Sequence, residues 1–327
     1  MSCFHPIYRR PPSTYEQQKF GNRWIVISDY DWYKEHPSID NVSGEVLAAV
    51  PTACGKCVGC RLDYSRQWAT RICLESLEYD KGLCWFITLT YAPEHVHSNK
   101  FDVLTLYPKD VTDFLKRLRT IYERKFDHTG IRYYYCGEYG DKTARPHYHI
   151  CVFNLPIFDL TYFYSNFRGD MFYLSDTIAH IWKLGQVSIS QLNWQTAAYT
   201  ARYVMKKIKG KGAKEAYETA DLVAPYVRMS RMPGIASRYF DEHCDLIYLN
   251  DNIVLPGGKV ERPPRYFDNK FKEIDPVQLA KLKLKRSELA EFTRQYECKQ
   301  HNYPEEEYFA IKEAQFKERA KKLIREL

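Results

Sequence analysis

An α+β fold built on an antiparallel sheet follows from three features of this 327-residue chain. Short aromatic and β-branched runs alternate with segments of helical periodicity in the order β-α-β-β-α-β-α. The two central runs, Ile131-Arg-Tyr-Tyr-Tyr-Cys-Gly-Glu138 and His147-Tyr-His-Ile-Cys-Val-Phe153, flank Tyr139-Gly-Asp-Lys-Thr-Ala-Arg-Pro146, which has turn formers at both ends and predicts a hairpin. The helices between strands are long enough to cover a sheet. This order fits a ferredoxin-like or RRM-like sheet with helices on one face, leaving the other face for chemistry. An N-terminal cysteine-containing segment and a C-terminal helical extension flank that core.

The elements follow in order. Residues 1–50 are irregular, with a strand-like Arg23-Trp-Ile-Val-Ile-Ser28 and no repeat. Residues 61–80 read as helix and 84–91 as strand. Tyr107 to Lys125 is an amphipathic helix opened by Pro108 and Asp110. After the hairpin come a helix over 173–183 and a short strand from Gln186 to Ser190. A helix then covers Ala197 to Ile208 and stops at Lys209-Gly210, with cations in its last turn and glycine beyond. Ile247 to Val260 predicts a hairpin around Asn250-Asp-Asn252 and Pro256-Gly-Gly258, and residues 276–326 two charged helices parted near Asn302 to Pro304. The expected division is 1–60, 61–240 and 241–327.

Side chains alternate between the faces of a strand, so His147, His149, Cys151 and Phe153 share one face and Tyr148, Ile150 and Val152 the other. In a hairpin without a bulge Glu138 lies opposite His147 and on its face. Two imidazoles and a carboxylate then converge. The set suits Mg²⁺ or Mn²⁺ with open positions better than structural zinc, although Cys136 and Cys151 fall on the same face. A bare His-x-His is more often a packed histidine pair. The facing carboxylate and the apolar opposite face weigh against that here.

On the 197–208 helix, Ala197, Ala198, Ala201, Val204, Met205 and Ile208 form an apolar stripe about 120° wide. Tyr199 and Tyr203 point near the opposite pole, one turn apart, beside Lys206 and Lys207. A tyrosine of pKa ~10 is ionised only about one part in a thousand at neutral pH, so a nearby cation or polarised phosphate is needed to make it react. The lysines otherwise coat a solvated face.

Cys54, Cys57 and Cys60 offer three thiolates to a structural Zn²⁺ ion, with Cys3, His5, Cys73 and Cys84 as candidates for the fourth ligand. The alternative is a tight turn at a helix start. Apolar content of 45% and a net charge of +7 are ordinary for a globular chain, and they permit nucleic-acid binding without demanding it. The 27 tyrosines are either core residues or stacking platforms for bases. From Arg202 to Arg238 basic residues greatly outnumber acidic ones, which makes Lys209, Lys211 and Arg231 candidate DNA contacts. No run of eighteen apolar residues exists, and the start lacks an apolar signal core. Reduced thiols and no membrane partner are expected.

Phe86-Ile-Thr-Leu-Thr-Tyr91, His147-Tyr148-His149 and the two-tyrosine helix occur in the order of three motifs of HUH endonucleases of the rolling-circle replication initiator superfamily, which the chain resembles over roughly residues 54–240. The two-tyrosine helix, Cys54-Gly-Lys-Cys-Val-Gly-Cys60-Arg-Leu and Ser230-Arg-Met-Pro-Gly-Ile235 further resemble initiators of Microviridae phages of gokushovirus type. The resemblance implies that Glu138, His147 and His149 hold the divalent cation. Tyr199 and Tyr203 would be the nucleophiles, and Lys206, with Lys207, would stabilise charge. It implies an enzyme that nicks and rejoins single-stranded origin DNA through a 5′-phosphotyrosine, starting and ending rolling-circle replication. Host replication helicase and polymerase are the implied partners and the host bacterial cytoplasm the implied location. Related HUH transposases and relaxases fit the same motifs. A non-catalytic, zinc-stabilised nucleic-acid-binding protein is the rival from another class; it would never become covalently attached to DNA.

Overall fold

A computed structural model describes residues 3–140, 143–206 and 213–324, without the side chains at 203–206, 213, 214 and 321–324. The chain forms two compact units, Met1–Asp63 with Lys283–Leu327, and Tyr64–Leu282.

The first unit opens with β1 (Ile7–Arg10), α1 (Thr14–Phe20), β2 (Ile25–Ile27), α2 (Tyr30–Glu35) and β3 (Val50–Thr52). The strands pair antiparallel in the order β2-β1-β3. Helix α1 begins in a capping box: the Ser13 hydroxyl accepts the Glu16 amide, and the Glu16 carboxylate accepts the Ser13 amide. The unit's buried hydrophobic side chains among the described residues are Cys3, Phe4, Tyr33, Leu47, Cys57, Cys298 and Ala320, a thin core. Helix α3 (Val58–Ser76) carries the chain into the second unit.

There follow β4 (Trp85–Thr90), α4 (Pro108–Phe126), β5 (Arg132–Tyr139), β6 (Pro146–Phe153), β7 (Thr161–Ser165), β8 (Met171–Leu174), α5 (Asp176–Trp182), β9 (Val187–Gln191) and α6 (Trp194–Lys206). Next are α7 (Ala213–Thr219), β10 (Tyr226–Met229), α8 (Ser237–Asn250), β11 (Ile253–Leu255), β12 (Lys259–Glu261) and α9 (Arg265–Ile274). Helices α10 (Pro276–His301) and α11 (Tyr308–Ile324) close the chain, parted as expected.

Seven strands form one antiparallel sheet, β10-β5-β6-β4-β9-β8-β7. Its centre, β5-β6-β4-β9, has the ferredoxin-like order expected from the sequence. One face carries Trp85, Ile87, Leu89, Tyr148, Ile150 and Val152, packed against Phe114, Leu118 and Tyr122 of α4 and Ile181 and Trp182 of α5. Each fully buried side chain of this size contributes about 1.5–3 kcal/mol. The histidine face divides into two parts. Phe86, Tyr134, Cys151 and Phe153 lie in a second core with Ile72 of α3, Ala197 of α6 and Phe240 of α8. Beyond them lie the histidines.

Two sequence expectations change in extent. The helix over 173–183 starts only at Asp176, where the Ser175 hydroxyl caps it by accepting the Ile178 amide at 3.2 Å, and Met171–Leu174 is instead a strand. The hairpin over 247–260 shrinks to β11 and β12 around Pro256-Gly257-Gly258. Asn250 ends α8, and Asp251 caps it in the left-handed region (φ 54°). The turn formers there end a helix and do not reverse a strand.

Candidate functional site

The central hairpin has no bulge. Glu138 pairs with His147, and Cys136 with His149, so the alternation read from the sequence places all three donors on one face. The hairpin closes through Gly140, whose amide donates to the Arg145 carbonyl at 2.9 Å. Strand β4 lies on the other side of β6 and brings Thr88 opposite His149 and Thr90 opposite His147.

The Glu138 Oε1 atom is 2.7 Å from His147 Nε2 and 3.3 Å from His149 Nε2. Ligand atoms at neighbouring corners of an octahedron with bonds near 2.1 Å are about 3 Å apart. The donor set therefore matches one triangular face of such a shell in spacing as well as in chemistry, with nitrogen and oxygen and no thiolate. Both imidazoles are oriented from behind. His147 Nδ1 meets the Arg145 carbonyl at 3.1 Å, and His149 Nδ1 meets the Thr88 hydroxyl at 3.0 Å. Such partners fix the ring and point the other nitrogen at the ion. Phe86 stacks on His149, with centroids 5.3 Å apart and planes within 10°.

Burial pushes the Glu138 carboxyl up, but hydrogen bonds from the two imidazoles outweigh it and hold the group below its usual range. The carboxylate is thus ready to accept a cation. Glu138 is 2% exposed and His147 17%, so the approach to the cluster is from the His147 side.

Tyr199 lies on α6 and not at a solvated pole. Its ring meets His149 edge-on at 5.0 Å and Phe86 at 6.1 Å, beside buried Ala197, Thr200 and Ala201. A helical wheel gives an angle about one axis; it carries no information about a sheet that a long ring can reach. Tyr203 and Lys206 belong to α6 by backbone only, and their side chains lie outside the described residues, as do Lys207, Lys209 and Lys211 altogether. Arg231 is exposed in the loop after β10. That loop is pinned from below: Arg132 donates to the Pro233 carbonyl at 2.8 Å, Arg71 to the Ile235 carbonyl, and the Ala236 amide to Glu75. Glu75 and Arg132 themselves form a buried ion pair.

Cys136 and Cys151 stay out of the histidine cluster. Cys54, Cys57 and Cys60 do come together, and Cys3 joins them. Thr88, Arg145 and Phe86 are the site residues whose roles the sequence left unread. Alternation already puts Thr88 and Phe86 on one face of β4, but which strand that face adjoins depends on the long-range pairing of β4 with β6.

Residues 84–208 match the model of a family of replication-associated proteins, the ORF2 family. The chain is 38% identical to the replication-associated protein ORF2 of Spiroplasma virus 4, over 82% of this chain and 79% of that protein. It is 32% identical to the replication-associated protein VP4 of Bdellovibrio phage phiMH2K, over 75% and 76% of the two chains. Identity to the replication-associated protein ORF4 of Chlamydia phage 1 is 30%, over 48% of this chain and 38% of the relative. No solved structure matches the chain. No helix among the described residues is long and apolar enough to cross a membrane. Identical to such a relative at more than a third of the aligned positions, along most of both lengths, this chain belongs to the family of phage replication-associated proteins.

Proposed function

We propose that this protein starts and ends rolling-circle replication by nicking and rejoining single-stranded origin DNA through a 5′-phosphotyrosine. The observation that carries the reading is one face of one sheet where Glu138, His147 and His149 converge and the Tyr199 ring lies 5.0 Å from His149. A divalent cation held by the three donors, Mg²⁺ or Mn²⁺, would polarise the scissile phosphate. Glu138 binds it by charge, and the two histidines fix its place.

A tyrosine oxygen, from Tyr199 or Tyr203, attacks phosphorus. The Tyr O–P bond forms, the P–O3′ bond breaks, and the tyrosine proton ends on the leaving 3′ oxygen. The free 3′-OH is a primer for host helicase and polymerase. The phosphoester is conserved in the covalent link, so attack by a 3′-OH reverses the step without ATP. A second tyrosine cleaves the regenerated origin while the first holds the earlier end. Lys206 and Lys207 stabilise charge on phosphate or tyrosinate. Arg231, Lys209 and Lys211 hold the strand through its phosphates. The exposed aromatic hairpin of β7 and β8, with Tyr162, Phe163 and Phe167, offers stacking surfaces for unpaired bases. The host bacterial cytoplasm is where such a reaction occurs.

The test is incubation of the protein with Mn²⁺ and end-labelled single-stranded origin DNA from its genome. A band that survives SDS and disappears with chelator is expected. Metal-independent binding that never resists SDS would favour a non-catalytic binder, and strand transfer between element ends without origin nicking would favour a transposase.

A further inference from the structure

We propose that Cys3, Cys54, Cys57 and Cys60 bind one zinc ion as a closed four-thiolate site, and that this ion organises the unit formed by Met1–Asp63 and Lys283–Leu327. The inference stands apart from the nicking reaction and uses none of its residues.

Three of the cysteines are neighbours in sequence, while the fourth comes from 51 residues upstream of Cys54. All four sulfurs lie within 4.8 Å of one another, with Cys54 and Cys60 3.9 Å apart. A tetrahedron of sulfurs around zinc with bonds near 2.3 Å has edges of about 3.8 Å. A disulfide would bring two sulfurs to about 2.05 Å, and none of the ten cysteines forms one. The space between the sulfurs suits a single ion; an iron–sulfur cluster would have to fit its own iron and sulfide atoms there. Of the other candidates for the fourth ligand, His5 pairs with Glu313 at 2.9 Å, and Cys73 and Cys84 belong to the second unit.

Backbone amides surround the sulfurs. The Cys54 amide points at Cys3 Sγ (3.2 Å), the Lys56 and Cys57 amides at Cys54 Sγ (3.4 and 3.3 Å), and the Cys60 amide at Cys57 Sγ (3.5 Å). Such donors offset the charge of four thiolates and fix their rotamers before an ion arrives. Gly55, at φ 73°, makes the tight turn that aims them. Cys60 sits in the first turn of α3, where the helix dipole also favours negative charge. Phe4, Val58, Phe309 and Phe316 close an apolar shell around the sulfurs. With four protein ligands and no open position, the site is structural and not catalytic. Cys3 and Cys57 are themselves part of the unit's thin core, so the ion replaces hydrophobic burial that the unit lacks.

The test uses the full chain purified under reducing conditions. Elemental analysis should give one zinc per chain. Cobalt(II) exchanged into the site should show the visible bands and the sulfur-to-metal charge transfer of a tetrahedral four-thiolate complex. Cys3→Ser should weaken metal binding about a hundred-fold or more, whereas Cys84→Ser should leave it unchanged. If Cys3→Ser fails to fold, Cys3→His keeps a fourth donor and should retain one zinc with an altered cobalt spectrum. Chelation should expose residues 1–63 to protease while the β5–β6 amides keep their exchange protection. Reduced, metal-free protein that resists protease in residues 1–63, stoichiometric iron in place of zinc, or a cobalt spectrum unchanged in Cys3→His would overturn the proposal.

Discussion

The two clusters of metal-capable side chains are built in opposite ways. Nine residues separate Glu138 from His147, and one hairpin register sets both; 51 separate Cys3 from Cys54, and nothing local brings them together. The sheet around the first cluster is a full core in its own right, with side chains such as Ile87, Ile150 and Val152 wholly buried. The second cluster is a large part of its own unit's core. The difference teaches what each ion would do. A site that its scaffold pre-forms can leave coordination positions open for substrate, and losing the ion costs chemistry. A site that assembles its scaffold closes its shell, and losing the ion costs structure.

Four substitutions would break or sharpen that contrast. The largest effect is expected from Glu138→Gln, which keeps shape but removes the charge that holds the cation. Lewis-acid stabilisation of several kcal/mol corresponds to about a thousand-fold in nicking rate. Thermal melting of the sheet should hardly move; a variant that nicks at wild-type rate in Mn²⁺ would place the metal elsewhere. In the other unit, Cys57→Ser should act in reverse, loosening residues 1–63 in hydrogen exchange while the hairpin amides stay protected.

A smaller effect is expected from Thr88→Val, which deletes the hydroxyl at His149 Nδ1 and keeps the β-branched strand shape. Thr88 is a positioning residue, so the Mn²⁺ concentration for half-maximal nicking should rise about 10–100-fold with the rate at saturating metal largely restored. An unchanged metal requirement would assign His149 another support. The smallest effect concerns DNA alone. Arg231→Ala should reduce the salt slope of single-strand affinity by about 0.7, equally with and without metal. Affinity that is independent of salt would make base stacking on the aromatic hairpin the main term.

Residues that interact through a short hairpin were legible from the sequence. Alternation and an unbulged turn suffice to put Glu138, His147 and His149 on one face, and the ferredoxin-like strand order follows from the order of elements. Contacts that depend on long-range pairing were not legible. Thr88 becomes a partner of His149 only because β4 pairs with β6, and Cys3 becomes a ligand only because the chain start returns to the beginning of α3. Tyr199 shows a third limit. Its angle on α6 was read correctly relative to Ala197 and Ala201, yet its ring packs on His149 because a tyrosine reaches past the stripe its Cα belongs to. Asn250 and Asp251 show a fourth, since the same turn-forming residues serve a helix end and a hairpin.

Mass spectrometry of a trapped adduct tests the central claim most directly. Protein, Mn²⁺ and single-stranded origin DNA are reacted, digested with protease and nuclease, and searched for a peptide carrying a tyrosine-linked 5′ phosphate. The account predicts that peptide at Tyr199 or Tyr203, its loss in the Tyr199→Phe/Tyr203→Phe double variant, and normal folding of that variant. A phosphotyrosyl peptide from any other part of the chain, or an adduct that survives in the double variant, would contradict it.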